Sequence, residues 1–349
     1  MDATTIGVDL AKNVFEVAVA DERYRVQSRQ RLTHARFARF CANHPKSEFV
    51  MEACGSAHYW GRRLKELGHE VRLLPAQYVK AYVKRNKTDA ADAAALIEAS
   101  RCADIPSVPV KSVEQQAVQQ LHRLREQFKG TRNARINQLR GMLREVGIVI
   151  PQGVAKGLTA IREALAIADN GLPDMLRPWV AQLLEEVTHL KELMSRLERE
   201  LKMLVREDAV VQRLMTIPGV AELVASGVRT AVGDIQRFKS GRHLASWIGL
   251  TAREHSSAER RRLGRMSKEG DTYLRMLLIN GARSVLAAAQ RKQRAGQPLD
   301  GLRRWALATA QRRGHNKATV ALANKLARII WATWRHERPF DGNWALSAA

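Results

Sequence analysis

The stretch "IGVDLAKNVFEVAVADE" (residues 6–22) decides how the chain begins to fold. Residues 4–8 form a short apolar run, "LAKN" (10–13) interrupts it, and "VFEVAVA" (14–20) resumes it. Val-rich runs around a polar break read as two strands joined by a turn. A single carboxylate, Asp9, stands where the first run ends. The chain around it is strongly basic, with 58 Lys and Arg against 35 Asp and Glu and a formal net charge of +23. An acid at the edge of a core in such a chain requires a reason.

Outward from this stretch, residues 24–31 (YRVQSRQR) suit a third strand. "THARFARFCANH" (33–44) has apolar residues at helical spacing and Thr33 as its N-cap. "EFVMEAC" (48–54) is a strand whose apolar run ends at Glu52. Residues 57–67 suit a helix, 70–75 a strand, and "DAADAAALIEAS" (89–100) an Ala-rich helix. Three strands, helix, strand, helix, strand, helix predict a mixed α/β layer that starts as a meander.

The remainder reads as helical. "IPSVPV" (105–110) has the prolines of a linker, and 113–146 suits a long helix. In 180–204, Val180, Leu183, Val187, Leu190, Met194, Leu197, Leu201 and Leu204 alternate spacings of three and four. That heptad pattern predicts a coiled coil, either within one chain or between two. "MTIPGVAELVASGV" (215–228) resembles a helix-hairpin-helix turn, which offers backbone N–H groups to phosphate; a plain packing turn is the alternative. "ATVALANKLARIIWATW" (318–334) is strongly amphipathic. The expected domains are 1–104, 105–208 and 209–340, with 341–349 as a tail.

The charge is uneven. Residues 206–349 carry 26 basic and 11 acidic side chains, so these 144 residues hold +15 of the +23. A polyanion, most simply nucleic acid, is the expected partner. On 113–146 the cations Arg123, Arg125, Lys129, Arg132, Arg135, Arg140 and Arg144 face one acid, Glu126, between 121 and 144. A solvated face would suit a neutral protein, but this excess points to phosphate. Three cysteines, an odd count without CxxC spacing, argue against a disulfide frame and a structural zinc site. With no signal peptide and no apolar run of membrane length, a cytoplasmic protein without membrane contact is expected.

Three further acids stand in suggestive places. Glu52 ends a strand expected beside the first, and Asp89 and Asp92 are i and i+3 on one helix. Four carboxylates at one sheet edge repel unless a cation sits between them. Oxygen-only ligands favour Mg²⁺ or Mn²⁺, and paired ions of this kind cleave phosphodiesters. Each acid alone could be a turn or solvated-face residue. Together they have the layout of RNase H-like nucleases. Sugar-kinase and actin-like ATPases open similarly but need later glycine-rich phosphate loops, for which "EACGSAH" (52–58) is a weak candidate. A second constellation is "AREHSSAERRRLGRMSKEGD" (252–271). Here Ser256 and Ser257 precede Arg260, Arg261, Arg262, Arg265 and Lys268. A cationic field favours a serine alkoxide and a phosphoryl transition state; the alternative is a loop that only holds phosphate.

"GVDLAK" (7–12), "MEACGS" (51–56), "NKTDAADAAAL" (86–96), "IPGV" (217–220), "GLTAREHSSAERRRLGRMSKEGD" (249–271) and "HNKATVALANKLARIIW" (315–331) together resemble the bridge-RNA-guided recombinases. These are insertion-sequence transposases with an Asp-Glu-Asp-Asp nuclease-like domain. The resemblance covers about residues 5–335. It implies an RNase H-like (RuvC-like) N-terminal domain, a coiled-coil middle and a mainly helical C-terminal transposase domain. It implies that Asp9, Glu52, Asp89 and Asp92 hold Mg²⁺ and that a serine of "HSS" is the nucleophile. Counting from "GLT" gives Ser257. Ala258 and Glu259 replace the glycines common in the family, which leaves Ser256 as the alternative. It also implies a non-coding bridge RNA that pairs with donor and target double-stranded DNA, and dimers that assemble into a tetramer. A hydrolytic RuvC-like endonuclease and a non-catalytic nucleic-acid scaffold are the competing readings.

Overall fold

The computed structural model describes residues 4–83, 89–257 and 260–342, the side chains of residues 89 and 90 excepted. The chain divides into two compact units, Met1–Gln116 and Ala117–Ala349.

The first unit is a mixed α/β layer. β1 (Thr5–Leu10), β2 (Val14–Ala20) and β3 (Val26–Thr33) form an antiparallel meander. α1 (His34–Asn43) leads to β4 (Glu48–Glu52), which pairs parallel with β1, and α2 (Ala57–Glu66) leads to β5 (Glu70–Leu74), parallel with β4. The sheet order is β3-β2-β1-β4-β5. α3 (Ala76–Val79) and α4 (Asp89–Ser100) follow.

Alternation sorts the side chains. Ile6, Val8, Phe15, Val17, Phe49, Met51 and Leu73 form one core with Phe37 of α1 and Trp60 and Leu64 of α2. On the opposite face Ala18 and Ala20 meet Ala93 and Ile97 of α4, while Val50 and Leu74 meet Ala95, Leu96 and Ala99. Gly7 makes this second layer possible. A methyl group there would collide with the Ala93 carbonyl and approach Ile97 Cγ1 to 2.9 Å.

The expected elements stand, with one shift. β3 starts at Val26 rather than 24, because Asp21 organises a longer turn. Its Oδ1 accepts from the N–H groups of Arg23 (2.9 Å) and Arg25 (2.8 Å), and Tyr24 takes φ 58°. Thr33 caps α1, its hydroxyl accepting from Arg36 N–H at 3.4 Å. Residues 105–110 pack on this unit: Ile105 is buried, Val108 N–H donates to Leu73 O at 2.7 Å, and Val110 lies over Gly61.

The second unit is helical. α5 (Val113–Glu145) enters it, followed by α6 (Val154–Ala166) and α7 (Arg177–Leu204). α5 and α7 run antiparallel, as the ion pairs Arg125–Glu198 (2.6 Å) and Arg135–Glu186 (2.7 Å) require. Ile136, Leu139 and Leu143 of α5 share a core with Val180, Leu184 and Val187 of α7 and with α6. Val180 and Val187 of the heptad are therefore covered within the chain, whereas Leu204 at the end of the heptad is exposed.

The second core gathers α8 (Ala209–Met215), α9 (Glu222–Val232), α10 (Gly241–Trp247), α11 (Thr272–Arg294), α12 (Gly301–Arg313) and α13 (His315–Arg335). Between α10 and α11 a two-stranded ribbon, β6 (Ala252–Glu254) and β7 (Leu263–Met266), stands out from the helices. Among the described residues no helix is long and apolar enough to cross a membrane. The expected tail lies, from residue 343 on, outside the described residues.

Candidate active site

In the first unit the acids meet by register. β1 and β4 pair Gly7 with Val50 and Val8 with Met51. One step further along the same register sets Asp9 beside Glu52. Both fall on the face of Gly7 and Val50, which α4 covers. Burial, then the charges of Glu52 and Asp9, push the Cys54 thiol up, so both carboxylates bear on one sulfur.

Asp89 opens α4, and its side chain lies outside the described residues. Asp92 adjoins Ala93, which rests over Gly7, and its Oδ1 is buried with no hydrogen-bond partner among the described residues. A buried carboxylate oxygen without a donor is costly, and a cation would satisfy it. Among the described residues no three His, Cys, Asp or Glu side chains are gathered closely enough to hold a metal ion. Asp9 and Glu52 share a face of the sheet that α4, carrying Asp92, covers, and carboxylate oxygens suit a hard divalent cation.

Sequence reasoning missed a neighbour. Glu16 of β2 is paired directly with Asp9 across the antiparallel ladder, on the same face. Its side chain is 18% exposed and meets Arg31 Nε of β3 at 3.5 Å. Three acids therefore stand in one row across β2, β1 and β4. The alternation of "VFEVAVA" carried the signal, since Glu16 shares a face with Ala18 and Ala20.

The serines lie on the ribbon of the second unit. Its root is clasped by backbone. Gly249 has φ 78° and Gly270 φ 93°, and methyl groups there would collide with the carbonyls of Glu269 and Trp247 respectively. Ser267 N–H donates to Thr251 O at 2.8 Å. The buried guanidinium of Arg275 donates to Ile248 O at 3.0 Å.

The two hydroxyls differ. Ser256 donates to Glu254 Oε1 at 2.7 Å and accepts from Arg262 N–H at 3.2 Å. Its hydroxyl, and next the Arg261 guanidinium at 3.1 Å, hold the Glu254 carboxyl below the usual range. Ser257 is exposed, and its main chain exchanges hydrogen bonds with Arg260 at 3.3 and 3.0 Å. Arg260, Arg262, Arg265 and Lys268 are exposed, Arg260 directly opposite Ser257 and Lys268 at the root of the ribbon, where its N–H donates to Gly249 O at 3.3 Å.

On α5 several cations are occupied within the chain. Arg125 and Arg135 pair with α7, Lys129 pairs with Glu126 at 2.7 Å, and Arg140 donates to Pro151 O (3.1 Å) and Gly153 O (3.0 Å). Arg132 donates to Asn133 Oδ1, at 2.9 and 3.2 Å, and Arg123 is exposed. The "IPGV" turn joins α8 to α9 and presses Gly219 against the backbone of Gly281 in α11. Its Ile217 and Val220 are buried, so the turn packs inward.

Two family models match this chain. "Transposase IS116/IS110/IS902 family" spans residues 211–296, and the DEDD-type "Transposase" of IS110 elements spans residues 6–148. A "Probable family 20 transposase" of Pseudomonas aeruginosa is 43% identical over 97% of this chain and 98% of its own length. The chain belongs to the IS116/IS110/IS902 transposase family. The transposase for insertion sequence element IS1111A of Coxiella burnetii is 38% identical, over 95% of this chain and 89% of its own. That for IS1328 of Yersinia enterocolitica is 34% identical, over 95% and 96%. The protein is an insertion-sequence transposase and an enzyme acting on DNA. The DEDD-type match over residues 6–148 contains Asp9, Glu52, Asp89 and Asp92, and its DEDD character suggests an RNase H-like fold and divalent-metal use. The match over residues 211–296 contains the ribbon and both serines.

Proposed function

We propose that this transposase is an RNA-guided DNA recombinase that exchanges strands through a phosphoserine intermediate. The observation that carries the serine assignment is the contrast on the ribbon. Both serines are exposed, but Ser256 is engaged with a carboxylate whose negative charge opposes an alkoxide, whereas Ser257 is bridged through its main chain to Arg260. Ser257 Oγ attacks the phosphorus of a DNA phosphodiester. The Oγ–P bond forms, the P–O3′ bond breaks, and the departing oxygen takes up a proton as a free 3′ hydroxyl. The 3′ hydroxyl of another strand reverses the step, and the serine regains its proton. Arg260, Arg262 and Arg265 neutralise the charge that grows on the phosphoryl oxygens.

Asp9, Glu52, Asp89 and Asp92 would hold Mg²⁺ or Mn²⁺, which supplies electrophilic stabilisation of phosphate oxygens when bound. Glu16 stands opposite Asp9 on the ladder, and Arg31 balances its charge. The exposed cations, with Arg123 and Arg132 on α5, grip backbone. A non-coding bridge RNA then selects donor and target DNA by base pairing, and dimers assemble into a tetramer on them. The basic excess of residues 206–349 supports this division.

Ser257→Ala, Ser256→Ala and the double variant test the serine. The parent and Ser256→Ala are expected to trap a covalent protein–DNA adduct on denaturing gels, and Ser257→Ala to lose it. Full strand exchange by the double variant would sink the serine mechanism and move the phosphoryl transfer to the acids.

A further inference from the structure

The register of the first sheet sorts its cations as well as its acids. One row across the strands is Arg31, Glu16 and Asp9, and it continues to Glu52. The row beside it is Arg29, Ala18, Gly7, Val50 and Arg72. Both rows belong to the face that α4 covers. Three arginines therefore flank the acids on that face: Arg72 on β5, and Arg29 and Arg31 on the edge strand β3.

Their situations differ. Arg72 is occupied inside the unit, where its guanidinium donates to Ser100 O (2.6 Å), Cys102 O (3.1 Å) and Ile105 O (3.3 Å). Arg31 leans across to β2, its Nε 3.5 Å from Glu16 Oε1, yet its side chain stays 71% exposed. An ion pair so open to water costs little to break. Arg29 is exposed as well, about 7 Å from Arg31 along the strand.

Charge on an edge strand also deters pairing with another chain. Either face would serve that purpose, but the other face of β3 presents Ser28 and Gln30. Both cations stand on the side of the acids. A row of three carboxylates repels a polyanion, and a metal ion would offset that repulsion only where it sits. Phosphates on either side of it need cations of their own. Two guanidinium groups about 7 Å apart suit neighbouring phosphates of one extended strand.

We propose that β3 is a track for one DNA strand, which passes the acids with successive phosphates on Arg31 and Arg29. The inference rests on the acids being the metal site and on the family's action on DNA. It is independent of RNA guidance and of the serine.

The test titrates the full chain in EDTA with fluorescein-labelled oligothymidylate and oligouridylate, followed by anisotropy between 50 and 300 mM KCl. The double variant Arg29→Gln/Arg31→Gln is expected to bind oligothymidylate about tenfold more weakly than the parent at low salt. Its salt slope should be flatter by about 1.4, at about 0.7 for each phosphate of a single strand. Arg36→Gln/Arg39→Gln removes two exposed cations of α1, which packs on the opposite face, and should change neither value. Mn²⁺ binding, read by electron paramagnetic resonance, should be kept or strengthened in the Arg29→Gln/Arg31→Gln variant, because cations beside the acids are gone. Equal losses in the two double variants, an unchanged slope, or a loss of DNA affinity accompanied by weakened Mn²⁺ binding would overturn the proposal. A loss confined to oligouridylate would also overturn it, and would assign the face to RNA. Absence of Mn²⁺ binding in the parent would instead sink the metal reading of the acids, and the titration in EDTA would still decide the role of β3.

Discussion

At the scale of the residue, His122 shows how a single group can tie stability to pH. Burial holds its folded pKa near 4, against 6.5 in the absence of structure, and the Arg125 charge adds to the same shift. Above pH 6.5 the imidazole is neutral in both states and its contribution is whole. As pH falls from 6.5 toward 4, the unfolded chain binds a proton that the folded chain refuses. Stability therefore declines through that window, by at most about 3 kcal/mol from this group. Urea unfolding of the parent and of His122→Gln, measured from pH 7.5 to 4.5, should show a shallower pH dependence in the variant. The His122 C2–H resonance should not titrate above pH 5. His58, also pushed down to about 4 by burial and then by Lys111 and Arg62, adds a loss of the same sign in the first unit.

At the scale of the element, α4 depends on an absent side chain. Gly7 lets the Ala93 carbonyl settle on β1, and α4 carries Asp89 and Asp92. Gly7→Ala should lift that helix and cost about 2–4 kcal/mol, as overpacking at a backbone contact does. Thermal unfolding checks the stability. Mn²⁺ titration followed by electron paramagnetic resonance should show weakened metal binding, although no carboxylate has changed.

These elements were legible because periodicity survives in a single sequence. "VFEVAVA", "EFVMEAC" and "DAADAAALIEAS" announced β2, β4 and α4 within a residue or two. What escaped depended on partners distant in sequence. The direct pairing of Asp9 with Glu16 needs the hairpin register. The occupation of Arg125 and Arg135 needs α7 alongside α5, and its choice between one chain and two is invisible in the heptads. The inward packing of "IPGV" needs Gly281, sixty-two residues after Gly219. Asp89 was placed at the head of α4 by the sequence pattern, but its side chain lies outside the described residues.

At the scale of the whole molecule, two chemistries occupy two compact units: carboxylates in Met1–Gln116, and arginines with serines in Ala117–Ala349. Most of the +23 belongs to the latter, and the exposed cations there can each release a counterion on meeting phosphate. The logarithm of nucleic-acid affinity should fall linearly with the logarithm of salt concentration. The slope should be near 0.7–0.9 for each phosphate neutralised. Filter binding between 50 and 300 mM KCl measures it. Removing Arg260, Arg262 and Arg265 together should flatten it by about two to three. A slope near zero would mean that the excess cations do not touch phosphate.

The glycine clasp beneath the ribbon has a mechanical meaning. Gly249 and Gly270 weld two backbone segments at the root, while the serines sit about 20 Å outward at 3.3 Å per residue. The ribbon is a cantilever, fixed at one end. A tilt of about 10° at the root would carry its tip about 3 Å, roughly the difference between a hydroxyl in line with phosphorus and one that misses it. Aim is therefore set at the weld, by two residues with no side chain, about 20 Å from the hydroxyl they point.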